Sequence, residues 1–260
     1  MTHVPHYPPH PGFPRPPQRQ RTFEAGAFTK GDYITVGAYI VFFILGGAAL
    51  LTLIPGYFAA FPDEQAALFG INMILYTVFF VLAMIQCGPQ FFESFATMRY
   101  FPWLKWLMLP GGWLITVIIS AIVSALAGGA ETSANQQALV DMTGSVPLPV
   151  MFVITVLFGP FVEEYLFRHL LIGKLSRKLN IWVCALISIV LFTGIHFVNA
   201  GGISSVVEFL PYVMLGVLMS VAYILSGKSL AYAYMLHVVN NGIAVLMLYV
   251  FAPLLPALGG

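Results

Sequence analysis

Residues 149–174 read PVMFVITVLFGPFVEEYLFRHLLIGK. At about 1.5 Å per helical residue the stretch is long enough to cross a hydrocarbon core about 30 Å thick. Inside it lie two adjacent carboxylates, Glu163 and Glu164, followed by Arg168 and His169. A charge at the centre of a bilayer helix costs about 2.5 to 3.5 kcal/mol even on a lenient insertion scale. Their presence calls for a partner, a water-filled cavity or a chemical task.

The rest of the chain has the same character. Hydrophobic residues make up 59% of the 260 and charged ones 8%, with a mean hydropathy of +0.89. Soluble domains carry about a quarter charged residues. The composition therefore implies an all-α, polytopic transmembrane helical bundle. Candidate spans, about seven in number, fall near 34–54, 67–87, 106–127, 149–173, 181–198, 205–225 and 229–251. Pro110-Gly111-Gly112 could divide the third into an interfacial segment with Trp103 and Trp106 plus a shorter crossing. A formal net charge of +1 with scattered basic residues excludes the concentrated basic surface that nucleic acid needs. Cys87 and Cys184, both in apolar runs, read as small buried hydrophobes and not as a disulfide framework.

Residues 1–20 hold seven prolines, three histidines and almost no aliphatic side chains. Such a segment cannot bury a core and is expected to be disordered. Three regions follow: a cytoplasmic tail over 1–30, N-terminal transmembrane helices over 31–145, and a transmembrane core over 146–255 that holds the charged motif. The first apolar run begins only at about Ile34, so it reads as an uncleaved anchor. Positive charge alternates as seven spans require: Arg15, Arg19, Arg21 and Lys30 precede the first, Arg99 and Lys105 follow the second, Lys174, Arg177 and Lys178 the fourth, and Lys228 the sixth. Retention of positive charge inside the cell then puts the N-terminus in the cytoplasm. A compact multi-pass chain of this kind suits a bacterial plasma membrane, with lipid as its surroundings.

Besides histidine, four ionisable residues stay within the spans: Glu163, Glu164, Arg168 and Glu208. Glu164 and Arg168 are spaced i, i+4 and share a helix face, where guanidinium can neutralise carboxylate. Glu163 points about 100° away and stays free. Gly159-Pro160 lies just before the pair, and a helix restarting there would place both glutamates in its first turn. Glu208 is close enough to a span end to reach headgroup water, and His169 reads as interfacial. Asp63, Glu64, Glu131 and Asp141 read as solvated charges of outer loops.

Two histidines sit in later spans, His196 four residues after Phe192 and His237 four before Asn241. One Glu/Arg pair can be a packing feature, and one membrane histidine a satisfied core group. The two imidazoles together with the unpaired Glu163 point to a site. Depths of about 15 Å for Glu163, 12 Å for His237 and 22 Å for His196 follow from the helical rise, so the last needs tilt or a later helix start.

Glu163-Glu164-x-x-x-Arg168, Phe192-x-x-x-His196 and His237-x-x-x-Asn241, in that order on three spans, resemble the signature of the CPBP family of intramembrane proteases. This family comprises CAAX proteases and bacteriocin-processing enzymes and is also called the Abi family. The resemblance covers about residues 149–245, and the count of seven spans is one fewer than the eight of some members. It implies hydrolysis of peptide bonds within the membrane, with a CAAX-type or leader-peptide-type substrate. Glu163 or Glu164 would take a proton from water held by His196, while His237 and Asn241 would donate to the oxyanion and Arg168 would orient Glu164.

Glu163, His196 and His237 also suit Zn²⁺ with a fourth position for water. The sequence does not separate that version from a metal-free, glutamate-activated water, towards which this reading leans. A protease of this kind predicts a cavity open on the cytoplasmic side. Two other classes compete: an ion-coupled transporter, because intramembrane Glu, Arg and His also build proton relays, and a noncatalytic scaffold or immunity protein. No internal repeat of the transporter kind is visible.

Overall fold

The computed structural model describes residues 21–127, 134–198 and 205–251, and the proline-rich stretch 1–20 lies outside them. The described residues form helices and turns with no strand. Helix α1 (Lys30–Ile44) leads into a 3₁₀ segment (Gly47–Leu53) bent from it by 65°. There follow α2 (Glu64–Arg99), α3 (Pro102–Leu126), α4 (Ala134–Met142), α5 (Leu148–Arg177), α6 (Ile181–Ile195), α7 (Val206–Leu225) and α8 (Leu230–Val250). Each of the seven apolar runs of the sequence contains helix, but the first is broken at Leu45-Gly46 and the fifth ends at Ile195. Five helices are long and apolar enough to cross a membrane, six with the bent first pair, whereas α6 has only 15 residues. At about 22 Å, α6 is shorter than the hydrocarbon core.

Two expectations are corrected. Helix α3 runs unbroken through Pro110, since neighbouring helices and local adjustment tolerate a proline in a membrane helix. Trp103 and Trp106 do lie exposed near its start, at 68% and 57%. Helix α5 likewise does not restart at Gly159-Pro160. It widens into π-helical turns over Val153–Phe158, tightens to α over Gly159–Glu164 and widens again over Tyr165–Lys174. The glutamates therefore close the α-helical stretch instead of opening one, and the widened turns absorb the donor that Pro160 lacks. A Cβ on Gly159 would stand 3.2 Å from the Ile154 carbonyl oxygen, so glycine permits this close turn.

The described lysines and arginines, Arg168 apart, gather at one end of the bundle, and that end is laced shut. Thr29 and Asp32 form a reciprocal capping box at the start of α1, with Asp32 N–H donating to Thr29 Oγ1 at 3.1 Å and Thr29 N–H to Asp32 Oδ2 at 2.6 Å. Asp32, fully buried, also receives Lys174 Nζ at 2.6 Å and the Tyr165 hydroxyl at 2.7 Å, both from α5. Nearby, Phe23 N–H donates to Gly227 O at 2.7 Å, Thr97 Oγ1 to Ser226 O at 3.0 Å and Ser229 Oγ to Ser94 O at 2.9 Å. Arg21 pairs with Glu93. His169 is not interfacial: it is 2% exposed and stacks on Tyr165, with ring centroids 5.9 Å apart.

The opposite end carries acids and caps. Asp63 accepts from Ala66 N–H at 2.8 Å to start α2, and the Tyr249 hydroxyl donates to Val146 O at 2.6 Å. Between the two ends, aromatic rings fill the space around α5. Phe80 stacks on Phe158 at 4.2 Å, and Phe161 makes edge contacts with Phe91 and Tyr234 at 5.0 and 5.6 Å. With lipid outside as apolar as the core, such packing is what holds membrane helices together. The outward faces of α3 and α6 stay apolar and exposed, for example Ile118, Ile122, Leu186 and Val190.

Candidate active site

The polar residues of α5 point inward, where α6, α7 and α8 meet it. Arg168 is fully buried and donates from Nη1 to Glu164 Oε1 at 3.1 Å, the i, i+4 contact that the spacing predicts. Its Nη2 donates to the Gly216 carbonyl of α7 at 3.2 Å, and its guanidinium lies 4.5 Å over the Phe192 ring of α6. One side chain thus ties three helices through charge, hydrogen bond and cation–π contact. Gly216 suits this close approach: a Cβ there would stand 3.3 Å from Phe192 Cδ1, so the ring would have to give by a few tenths of an ångström.

His237 of α8 stands between the two glutamates. Its Nδ1 is 2.9 Å from Glu164 Oε1 and its Nε2 is 3.6 Å from Glu163 Oε2. The carboxylates differ in surroundings. Glu164 is fully buried and held by Arg168 and His237, whereas Glu163 is 8% exposed and faces a cavity of about 650 Å³. That volume lies within the roughly 300–1,000 Å³ of ligand sites.

His196 follows the last residue of α6 and lines the same cavity. Its Nδ1 is 2.8 Å from the Phe192 carbonyl oxygen, which leaves Nε2 as the nitrogen for the cavity, and its ring lies 4.3 Å from that of Tyr212. Phe192 separates the two histidines, at 5.1 Å from His196 and 5.8 Å from His237. Asn241 donates from Nδ2 to Thr155 O at 3.0 Å and accepts from Asn240 at 3.1 Å. All six residues named from the sequence therefore converge. Glu163, His196, His237 and Asn241 line the cavity, while Glu164 and Arg168 stand behind them.

Glu208, set aside on sequence grounds, also lines the cavity, in the first turn of α7 under the Ser205 cap. The Asp32–Lys174–Tyr165 cluster was not foreseen either. Asp32 precedes the first apolar run and Lys174 follows the fourth, so nothing local signals that they meet. Phe192 was noted only as a companion of His196, and its place under Arg168 depends on how α5 and α6 cross.

The zinc alternative would draw on Glu163, His196 and His237. Among the described residues no three His, Cys, Asp or Glu side chains converge as metal ligands.

The cavity also differs from expectation in its direction. Its walls run from Glu163 towards α4 and the starts of α2 and α7, away from the basic end, whereas the sequence reading put the opening on the basic, cytoplasmic side.

Comparison with known proteins gives the same segment a relation. Residues 145–243 match the family model described as Type II CAAX prenyl endopeptidase Rce1-like. The chain is 27% identical over 137 residues to the membrane-embedded CAAX protease MroQ of Staphylococcus aureus, covering 50% of this chain and 51% of that protein. It is 38% identical over 69 residues to the putative membrane peptidase YdiL of Bacillus subtilis, covering 26% of this chain and 28% of that one. The chain thus spans at most about half the length of these curated relatives. No solved structure matches it.

Proposed function

We propose that this chain, whose motif-bearing segment is a CPBP-family core of the Rce1-like kind, is an intramembrane endopeptidase that hydrolyses peptide bonds with a glutamate-activated water. The observation that supports this most is the unequal pair of glutamates around His237: one carboxylate locked from behind, the other turned to a cavity.

Glu163 is the general base. It takes a proton from water in the cavity, which its carboxylate faces. Glu164, fixed by Arg168, holds His237 from the far side, so the imidazole can share the proton that Glu163 acquires and pass it to the leaving amine. His196, with Nδ1 engaged by backbone, offers Nε2 to the water or to the carbonyl oxygen. Asn241 has one amide N–H beyond that bonded to Thr155 and directs it to the oxyanion, a donor of the kind worth about 3 to 4 kcal/mol in other hydrolases. Arg168 positions Glu164 and does not touch substrate. No step requires a metal.

The substrate class is a membrane-associated peptide of CAAX or leader type. The N-terminus is placed in the cytoplasm of a bacterial plasma membrane, with residues 146–255 as the catalytic core and 31–145 as the helices that flank it. The test is purified protein in detergent or proteoliposomes with membrane-peptide libraries read by mass spectrometry, wild type beside Glu163→Gln. Defined fragments from the wild type and none from the variant are expected. Equal cleavage by both would remove Glu163 from the mechanism.

A further inference from the structure

Among the motif residues, the partner that Glu163 meets across helices is His237, whose Nε2 stands 3.6 Å from Oε2, too far for a hydrogen bond. A second partner comes from α2, outside the segment 145–243 that matches the Rce1-like family model. Tyr76 lines the cavity beside Glu163, and its hydroxyl lies within reach of the Glu163 carboxylate and interacts with it. The ring rests against Gly159, where a Cβ would stand 3.5 Å from Tyr76 Cε1 and 3.7 Å from Cζ. Gly159 is one helical turn before Glu163 on the same face of α5. The hydroxyl-bearing edge of the ring therefore lies along the turn that carries the base.

Packing fixes that ring from two helices. Phe80, one turn further along α2, stacks on Phe158 of α5 at 4.2 Å, and Phe43 of α1 stands 5.0 Å from the Tyr76 ring. Phe43 is itself stacked on Tyr39 at 4.6 Å, and both meet Phe79, at 5.5 and 5.6 Å. A phenol can donate, whereas an ionised carboxylate can only accept. We infer that Tyr76 is a positioning residue for the base: it donates its O–H to the Glu163 carboxylate and holds that group turned to the cavity water. The substrate is not touched by it. Residues 145–243 alone then lack a part of the site, which the N-terminal helices supply through an aromatic seam. This inference rests on the peptidase reading above.

Tyr76→Phe in the full chain deletes the hydroxyl and keeps the ring against Gly159 and Phe43. With the library peptide that the wild type cuts fastest, kcat should fall about tenfold, the scale of a hydrogen bond to a charged group, while KM stays within about twofold and the unfolding temperature is unchanged. A second measurement needs no turnover. 3-Fluorotyrosine incorporated at position 76 alone gives one ¹⁹F resonance in purified protein. Glu163→Gln should shift that resonance, because the carboxylate beside the phenol loses its charge, and Glu93→Gln at the basic end should leave it in place.

Wild-type kcat in the Tyr76→Phe variant, a rise in KM alone, a loss of turnover matched by a loss of stability, or a resonance indifferent to Glu163→Gln would overturn the inference. A resonance that answers to Glu163→Gln in a wild type that cleaves no peptide would leave the Tyr76–Glu163 contact standing and sink the peptidase reading instead.

Discussion

Lys174 and Asp32, far apart in the chain, form a buried ion pair with Nζ 2.6 Å from Oδ2, so the start of α1 is fastened to the end of the helix that carries both glutamates. The pair is 3% and 0% exposed. Breaking a buried pair from one side strands a charge and typically costs about 3 to 5 kcal/mol. Asp32→Ala should therefore lower the thermal unfolding midpoint in detergent markedly. Asp32→Leu combined with Lys174→Met should recover much of the loss, since an apolar replacement of both partners strands nothing. A double variant as unstable as the single one would mean that the Thr29 cap and the Tyr165 bond carry the junction.

The two glutamates should separate by experiment. Glu163→Gln is expected to lower kcat by about 10²- to 10⁴-fold, the range of lost acid–base catalysis, with little change in unfolding temperature. Glu164→Gln leaves Arg168 and His237 without their shared anion, so it should lower stability as well as turnover. Thermal denaturation alongside peptide-cleavage kinetics distinguishes the two patterns.

Arg168→Lys keeps the charge and loses the fork. A lysine cannot reach Glu164 and the Gly216 carbonyl together or lie flat on Phe192. We expect kcat to fall by at least about tenfold with KM little altered, because Glu164 loses its fixed orientation while the cavity wall is untouched. A rise in KM alone would place Arg168 in substrate binding.

Gly216→Val drives a branched side chain towards Phe192 and Ile189, where even a Cβ stands 3.3 and 3.5 Å from their nearest atoms. Overpacking of this kind costs about 1 to 3 kcal/mol. Because Phe192 lies between His196 and His237, the variant should lose activity beyond what its stability loss explains. Gly216→Ala, needing only a few tenths of an ångström, should lie between it and the wild type on both measures.

Since no step is assigned to a metal, turnover by the purified protein should survive extended treatment with a strong chelator. Elemental mass spectrometry should find far less than one equivalent of zinc. Loss of activity on chelation, restored by stoichiometric zinc, would overturn the glutamate-activated water.

Hydropathy and local spacing made the helical bundle, its apolar runs and the six motif residues legible from sequence. Partition into lipid depends on windows of neighbouring side chains, and the Glu164–Arg168 contact on one helical turn. Relations between distant segments decided the rest. That Glu164 is the locked carboxylate and Glu163 the open one follows from where α8 sets His237. That Asp32 belongs with Lys174 and Tyr165 follows from how α1 packs on α5, and the cavity's direction from which end of the bundle is laced shut. These depend on side chains brought together across three or more helices, and no window along the chain records them.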